Sequence, residues 1–322
     1  MLYPLSYEGL CACWKLLGAA GRARIQAYKL PGQPSNTDST ATPEAQQHSH
    51  CGDTGGAARG WAGARLARMR EQMAVPAASG DYLPDLGTIR SNIGGWAQLS
   101  VVQYFVAESA VIEAWRGPEP YDRRTGFISD LGALKCGIYE HRDVCSPLHL
   151  LMNSSFVVQG LGMLFGALLL SSALLCIAAR PGVRIVQGAA YRKAWPTAVA
   201  VRILTGISGL GTVVVGFVPE DLGSPFHLVG ALMFFIGGAF ALLLLGLLWL
   251  PHTPMSWFIV ACGTLTLGAL VVGGLTRMDV PEPGTLERLM GYPVTIGFSA
   301  AGLVVAQRVR EVRRTAARLA KG

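Results

Sequence analysis

Histidines, carboxylates, an amide and an arginine recur in this 322-residue chain where apolar runs begin or end. His149 and Asn153 are four positions apart, so on a helix they share one face. His227 opens another apolar run, shortly after Glu220 and Asp221. Arg277 and Asp279 follow the end of a further run. Ser129 and Asp130 belong to a long polar segment that can fold over the others. Gathered at one depth of a helical bundle, such groups can do three things. They can cap helix ends at the headgroup level, which is the plainest reading. They can line a pocket for a lipid or small ligand. Or they can hold a metal ion that activates water against a lipid amide or ester. This last alternative, a metal-dependent intramembrane lipid hydrolase, needs His149, His227 and a carboxylate such as Asp221 or Asp130 within about 2 Å of one ion. The chain has no His-x3-His or Cys-x2-Cys pair to support it, so neither metal nor cofactor is expected. A non-enzymatic ligand pocket ranks above the hydrolase.

The elements that must position these residues are apolar helices. Charged residues make up 15% of the chain and hydrophobic ones 51%, with a mean hydropathy of +0.38. Ordinary globular domains carry about 25% charge. Stretches near 156–179 and 229–250 hold no Lys, Arg, Asp or Glu. An all-α membrane protein follows, a six-transmembrane-helix bundle with spans near 94–115, 149–178, 195–218, 226–250, 256–275 and 289–306. Each reaches about 18 residues or more, enough to cross about 30 Å of hydrocarbon. The second is longer than needed and should tilt or project.

Basic residues orient the bundle. The 180–194 loop and the tail after 306 hold ten Lys/Arg, whereas the opposite loops at 116–148, 219–225 and 276–288 hold seven Lys/Arg and ten acids. A multi-pass protein of the plasma membrane is expected, with N- and C-termini cytoplasmic and the His/Asp cluster on the outer face. The net charge of +7 then reflects topology and attraction to anionic lipid. Membrane lipids are the expected partners, and nucleic acid is not, because the basic residues flank spans rather than forming a folded basic face.

Three regions result: residues 1–90, 91–310 and 311–322. The first mixes Gly, Ala, Arg, Ser, Thr and Pro without periodicity and is expected to be a disordered tail. It lacks a basic start followed by a clean apolar core, which argues against a secretory signal. A translation start placed too far upstream, with Met69 or Met73 as the true one, would also account for it. The second region is the membrane domain and the third a basic cytoplasmic tail. Cys11, Cys13 and Cys51 lie in the first region. Cys176 and Cys262 fall within or beside spans and should pack as small hydrophobes. Cys136 and Cys145 share one external loop. In an oxidising compartment they should form a disulfide closing about ten residues.

Two intramembrane charges stand out. Counting helix rise puts Glu108 about 18–20 Å and Arg202 about 10–12 Å from the cytoplasmic ends of their spans. Arg202 should snorkel to the interface, or alternatively reach partway toward Glu108. Gly162 with Gly166, Gly206 with Gly209 and Gly211, and Gly237 with Gly238 should allow close helix contact.

The order of short motifs then carries a resemblance. Tyr121 precedes Ile128, Ser129, Asp130, Leu131, Gly132 and Ala133; Pro147, Leu148 and His149 come with Asn153; Gly216, Phe217, Val218 and Pro219 lead to His227. In these features the chain resembles the domain of unknown function 998 family of bacterial integral membrane proteins, over about 92–310. The resemblance implies a six-helix bundle of no assigned activity. A transporter is disfavoured, because no inverted repeat is evident.

Overall fold

A computed structural model describes residues 87–180 and 189–320, so the expected tail at 1–90 lies almost wholly outside the described residues. The described chain is a helical ring capped at one end by loops. Helix α1 (Ile89–Leu99) starts where the Thr88 side chain accepts the Ser91 N–H, satisfying one of the orphan donors of a first turn. A 3-10 turn (Ser100–Gln103) joins it to α2 (Tyr104–Glu113). At this joint the Ser100 hydroxyl bonds back to the Ala97 carbonyl at 2.7 Å, a pattern that bends helices.

The expected long span at 149–178 is instead two helices. Helix α3 (His149–Leu169) ends as Leu170 turns extended, and Ser171 then caps α4 (Ser172–Ile177) by accepting the Leu174 N–H. A serine hydroxyl competing for backbone donors stops the helix where hydropathy alone sees one continuous run. Helix α5 (Ala189–Phe217) contains Pro196. Helix α6 (Pro225–Trp249) begins with Ser224 as cap and proline at its first position, preceded by Gly223 at φ 65°. Helix α7 (Met255–Thr276) stops at Arg277 and Met278, both at positive φ. Helix α8 (Pro283–Leu319) has 37 residues, or about 55 Å. It starts within what hydropathy reads as the last external loop and runs through the basic tail.

Five helices are long and apolar enough to cross a membrane: α3, α5 from Arg192, α6, α7, and α8 to Arg318. The α1–α2 rod, broken by its 3-10 turn, does not reach that length as a single helix. The outward surfaces are apolar, with Leu275 82% exposed and Val106, Leu150 and Phe217 at least 70% exposed. Such contiguous apolar surface fits lipid rather than water.

The ring order is α1, α3, α5, α6, α7, α8 and back to α1. Close crossings use glycine, as expected of bundles in lipid. A Cβ on Gly209 would lie 2.7 Å from the Gly160 carbonyl oxygen, and one on Gly230 would lie 2.8 Å from that of Gly211. The main core gathers side chains from the 3-10 turn and from α3 through α8, including Met163, Leu242, Trp249 and Phe298. The Trp249 indole N–H donates to the Leu175 carbonyl at 2.8 Å and so ties α4 to α6. Cys176 and Cys262 are buried as free thiols.

The long loop after α2 carries a two-stranded hairpin, β1 (Gly137–Tyr139) and β2 (Arg142–Val144), with Ile138 opposite Asp143. Its turn residues, Glu140 and His141, both have positive φ, as two-residue hairpin turns of the primed kind require. Cys136 and Cys145 are joined by a disulfide at the hairpin base, with Cα atoms 4.2 Å apart.

Candidate functional site

Two arginines, Arg142 half-buried and Arg288 buried, fasten the loop cap to the bundle. The first, Arg142 on β2, meets Asp130 with Nη2 at 3.1 Å and Nε at 3.2 Å from Oδ1. Its Nη2 also lies 3.4 Å from Glu220 Oε1, and its guanidinium stacks 4.4 Å from the centre of the Phe127 ring. Asp130 accepts the Phe127 N–H as well. One guanidinium thus faces two largely buried carboxylates. Burial pushes the Asp130 carboxyl above its usual range, although Arg142 pulls the other way. Burial raises Glu220 too; a hydrogen bond from Ser129 opposes this and the Asp130 charge adds to it. Both carboxyls therefore hold their protons more tightly here than in water.

The second, Arg288, is buried near the start of α8. It donates from Nη1 to the carbonyls of Arg123 and Gly126, and from Nη2 to the Tyr121 hydroxyl at 2.7 Å and to Glu108 Oε1 at 3.1 Å. Its Nε donates to the Tyr292 hydroxyl, which itself donates to the Glu108 carboxylate. The Tyr121 hydroxyl itself donates to the Phe127 carbonyl at 2.6 Å. Burial holds the Tyr121 hydroxyl well above the usual phenol range, despite the neighbouring guanidinium. Both Glu108 oxygens and all three guanidinium nitrogens of Arg288 are engaged, which is what makes a buried ion pair tolerable.

Between these two fastenings lies a cavity of about 50 Å³, room for a few waters or one small headgroup. Its polar lining is Ser129, Gln159, Thr212, His227, Glu287 and Thr295, set among the rings of Tyr104, Phe156, Phe234 and Phe235. One Glu287 oxygen accepts the Ile128 N–H. Glu287 forms no salt bridge among the described residues, since Arg288 turns to Glu108 instead. The Tyr104 hydroxyl is buried and has no hydrogen-bond partner. The His227 Nδ1 donates to the Val218 carbonyl at 2.7 Å. Gln159 donates to the Thr295 hydroxyl across the bundle at 2.8 Å.

Of the residues singled out by spacing, Ser129 and His227 line this cavity. Asp130 stands beside it, held by Arg142. Asn153 donates to the Gly132 carbonyl at 2.9 Å and pins the loop onto α3. His149 contacts the Ser146 carbonyl through Nδ1. Asp221 accepts the N–H groups of Leu134 and Lys135. Arg277 and Asp279 are exposed at the α7 end. Thus His149, His227 and Asp221 each serve a separate partner, and no group of three His, Cys, Asp or Glu among the described residues could hold a metal ion.

The intramembrane charges need correcting. Glu108 is paired with Arg288, not with Arg202. Arg202 donates to the Ala167 carbonyl at 2.9 Å and to the Ser172 hydroxyl at 3.3 Å, where α3 ends and α4 begins. There it satisfies a carbonyl at the broken helix end. The residues that spacing overlooked are Arg142, Tyr104, Glu287, Arg288 and Tyr292. A usable signal was present, because Arg288 and Tyr292 are four apart and Glu108 needed a partner.

Five long apolar helices, an apolar exterior and a polar interior cluster define a multi-pass membrane protein. The model for the family described as "Protein of unknown function (DUF998)" matches residues 99–304, and the chain belongs to that family. No curated protein and no solved structure matches the chain.

Proposed function

We propose that this protein is a six-span plasma-membrane protein whose loop-capped end faces outward, and that its cavity binds a small ligand or a lipid headgroup. The broken α1–α2 rod supplies the first span, extending over 89–113. Both termini are cytoplasmic, in keeping with ten basic residues in the 180–194 loop and the tail. One observation carries the binding reading. A cavity of about 50 Å³ combines a carboxylate without a salt-bridge partner among the described residues, an unpartnered tyrosine hydroxyl and aromatic walls. Pockets with a few convergent polar groups in apolar walls are the usual form of small-ligand sites.

Gly291 gives the test. A Cβ there would lie 3.6 Å from the Phe235 ring, so a larger side chain enters the cavity without striking backbone. Purified full-length protein and its Gly291→Leu variant are titrated with ethylamine, ethanol and acetate while thermal unfolding is followed. The expected result is that at least one probe raises the unfolding midpoint of the native protein and not of the filled variant. If no probe does, the pocket reading fails.

A further inference from the structure

We infer that the cavity recognises an organic ammonium group, with Glu287 as its counter-charge. The inference rests on the pocket reading above and names the class of ligand. Glu287 is a carboxylate on the cavity wall without a salt-bridge partner among the described residues, and only one of its oxygens is engaged, by the Ile128 N–H. The other groups that face this wall do not neutralise it. Arg288 is committed to Glu108 and Tyr121, and Arg142 to Asp130 and Glu220.

Two further features select among cations. The Tyr104 hydroxyl is 3% exposed as a residue and lacks a partner, so it offers an acceptor to an N–H. The cavity walls include two close ring pairs, Tyr104 with Phe156 at 5.9 Å and Phe234 with Phe235 at 5.3 Å between centroids. Aromatic faces attract ammonium groups and give little to a strongly hydrated metal ion. A carboxylate, a hydroxyl acceptor and aromatic walls together match a protonated amine better than an alcohol of equal size. Among the described residues, no Lys or Arg lines the cavity to hold an anion. The same headgroup chemistry is offered by a free amine or by an ethanolamine lipid.

The titration distinguishes these readings. Ethylamine and ethanol are nearly the same size, and for three heavy atoms the affinity is at best about millimolar. Ethylamine is expected to bind the full-length protein at least tenfold more tightly than ethanol, with acetate inactive. Glu287→Gln keeps an oxygen for the Ile128 N–H and should erase that preference. Tyr104→Phe should weaken ethylamine severalfold and leave ethanol unchanged. Equal binding of ethylamine and ethanol, both lost in Gly291→Leu, would overturn the ammonium assignment and leave the pocket standing. Failure of every probe would remove the pocket itself. Should Glu287→Gln not fold, Tyr104→Phe decides: unchanged ethylamine affinity overturns the assignment. Nanodiscs of phosphatidylethanolamine and of phosphatidylglycerol then separate the sources. Weaker ethylamine binding in the former supports a lipid headgroup, and equal binding supports a free amine.

Discussion

Arg288 Nη2 lies 3.1 Å from Glu108 Oε1, joining α8 to α2 across 180 positions of sequence. The same guanidinium holds the Arg123 and Gly126 carbonyls, so one side chain fixes both the helix pair and the loop that covers it. Both members are buried, at side-chain exposures of 8% and 3%.

Removing one member strands the other. Arg288→Ala should therefore destabilise the purified protein by about 3–5 kcal/mol, as for other broken buried pairs. The double variant Glu108→Gln with Arg288→Met should lose less than the sum of the single changes. A double-mutant cycle on thermal or denaturant unfolding in detergent reads the coupling. Additive losses would mean that the two groups do not interact.

The Cys136–Cys145 bridge closes the hairpin that carries Arg142. Intact protein treated with a thiol-alkylating reagent before reduction should leave both cysteines unlabelled. Reduction should cost on the order of 2–3 kcal/mol, the loop-closure entropy of about ten residues. Full labelling of either cysteine without reductant would rule the bridge out.

The Asp130 and Glu220 carboxyls are both raised by burial, so the folded state holds their protons more tightly than the unfolded chain does. Their stabilising contribution is complete below the unfolded values near about 4 and is lost as pH rises through the folded ones. The unfolding midpoint should fall as pH rises through that window. Glu220→Gln should flatten the fall. An unfolding midpoint that rises with pH there, and is unaffected by the substitution, would contradict this account of the two buried carboxyls.

At the α3–α5 crossing, a Cβ on Gly209 would press within 2.7 Å of the Gly160 carbonyl oxygen and 3.0 Å of the Leu164 nitrogen. Backbone cannot give way like a side chain. Gly209→Ala should cost about 1–3 kcal/mol, whereas Gly268→Ala, with nothing within 4 Å, should be near neutral. Equal effects at both positions would show that these helices do not approach so closely in the membrane.

Reporter fusions after Ala190 and after Lys321 should both read cytoplasmic, and a fusion after Gly223 should read external. The opposite signal at Ala190 would invert the bundle and place the cavity at the inner face.

The amino-acid sequence by itself determined the lipid-facing character of α3, α5, α6, α7 and α8. A backbone in hydrocarbon must satisfy its own hydrogen bonds, so an apolar run of sufficient length has to be a helix. It also determined the family, through short motifs in a fixed order, and the cysteine pair, because Cys136 and Cys145 share one loop. Tertiary structure alone decided which charges meet. Arg288 sits in a stretch with the composition of an external loop, and its one local mark is Tyr292 four positions on. Its pairing with Glu108 depends on the ring order that brings α8 back beside the first helices. The hairpin was hidden for a related reason, since Glu140 and His141 take positive φ without the glycine or asparagine that usually signals such a turn. The split between α3 and α4 turned on one Ser171 hydroxyl, a single hydrogen bond that an average of hydropathy cannot register. The cavity belongs to no segment at all. It is the space left where five helices and a loop fail to close around Glu287, and only their relative placement creates it.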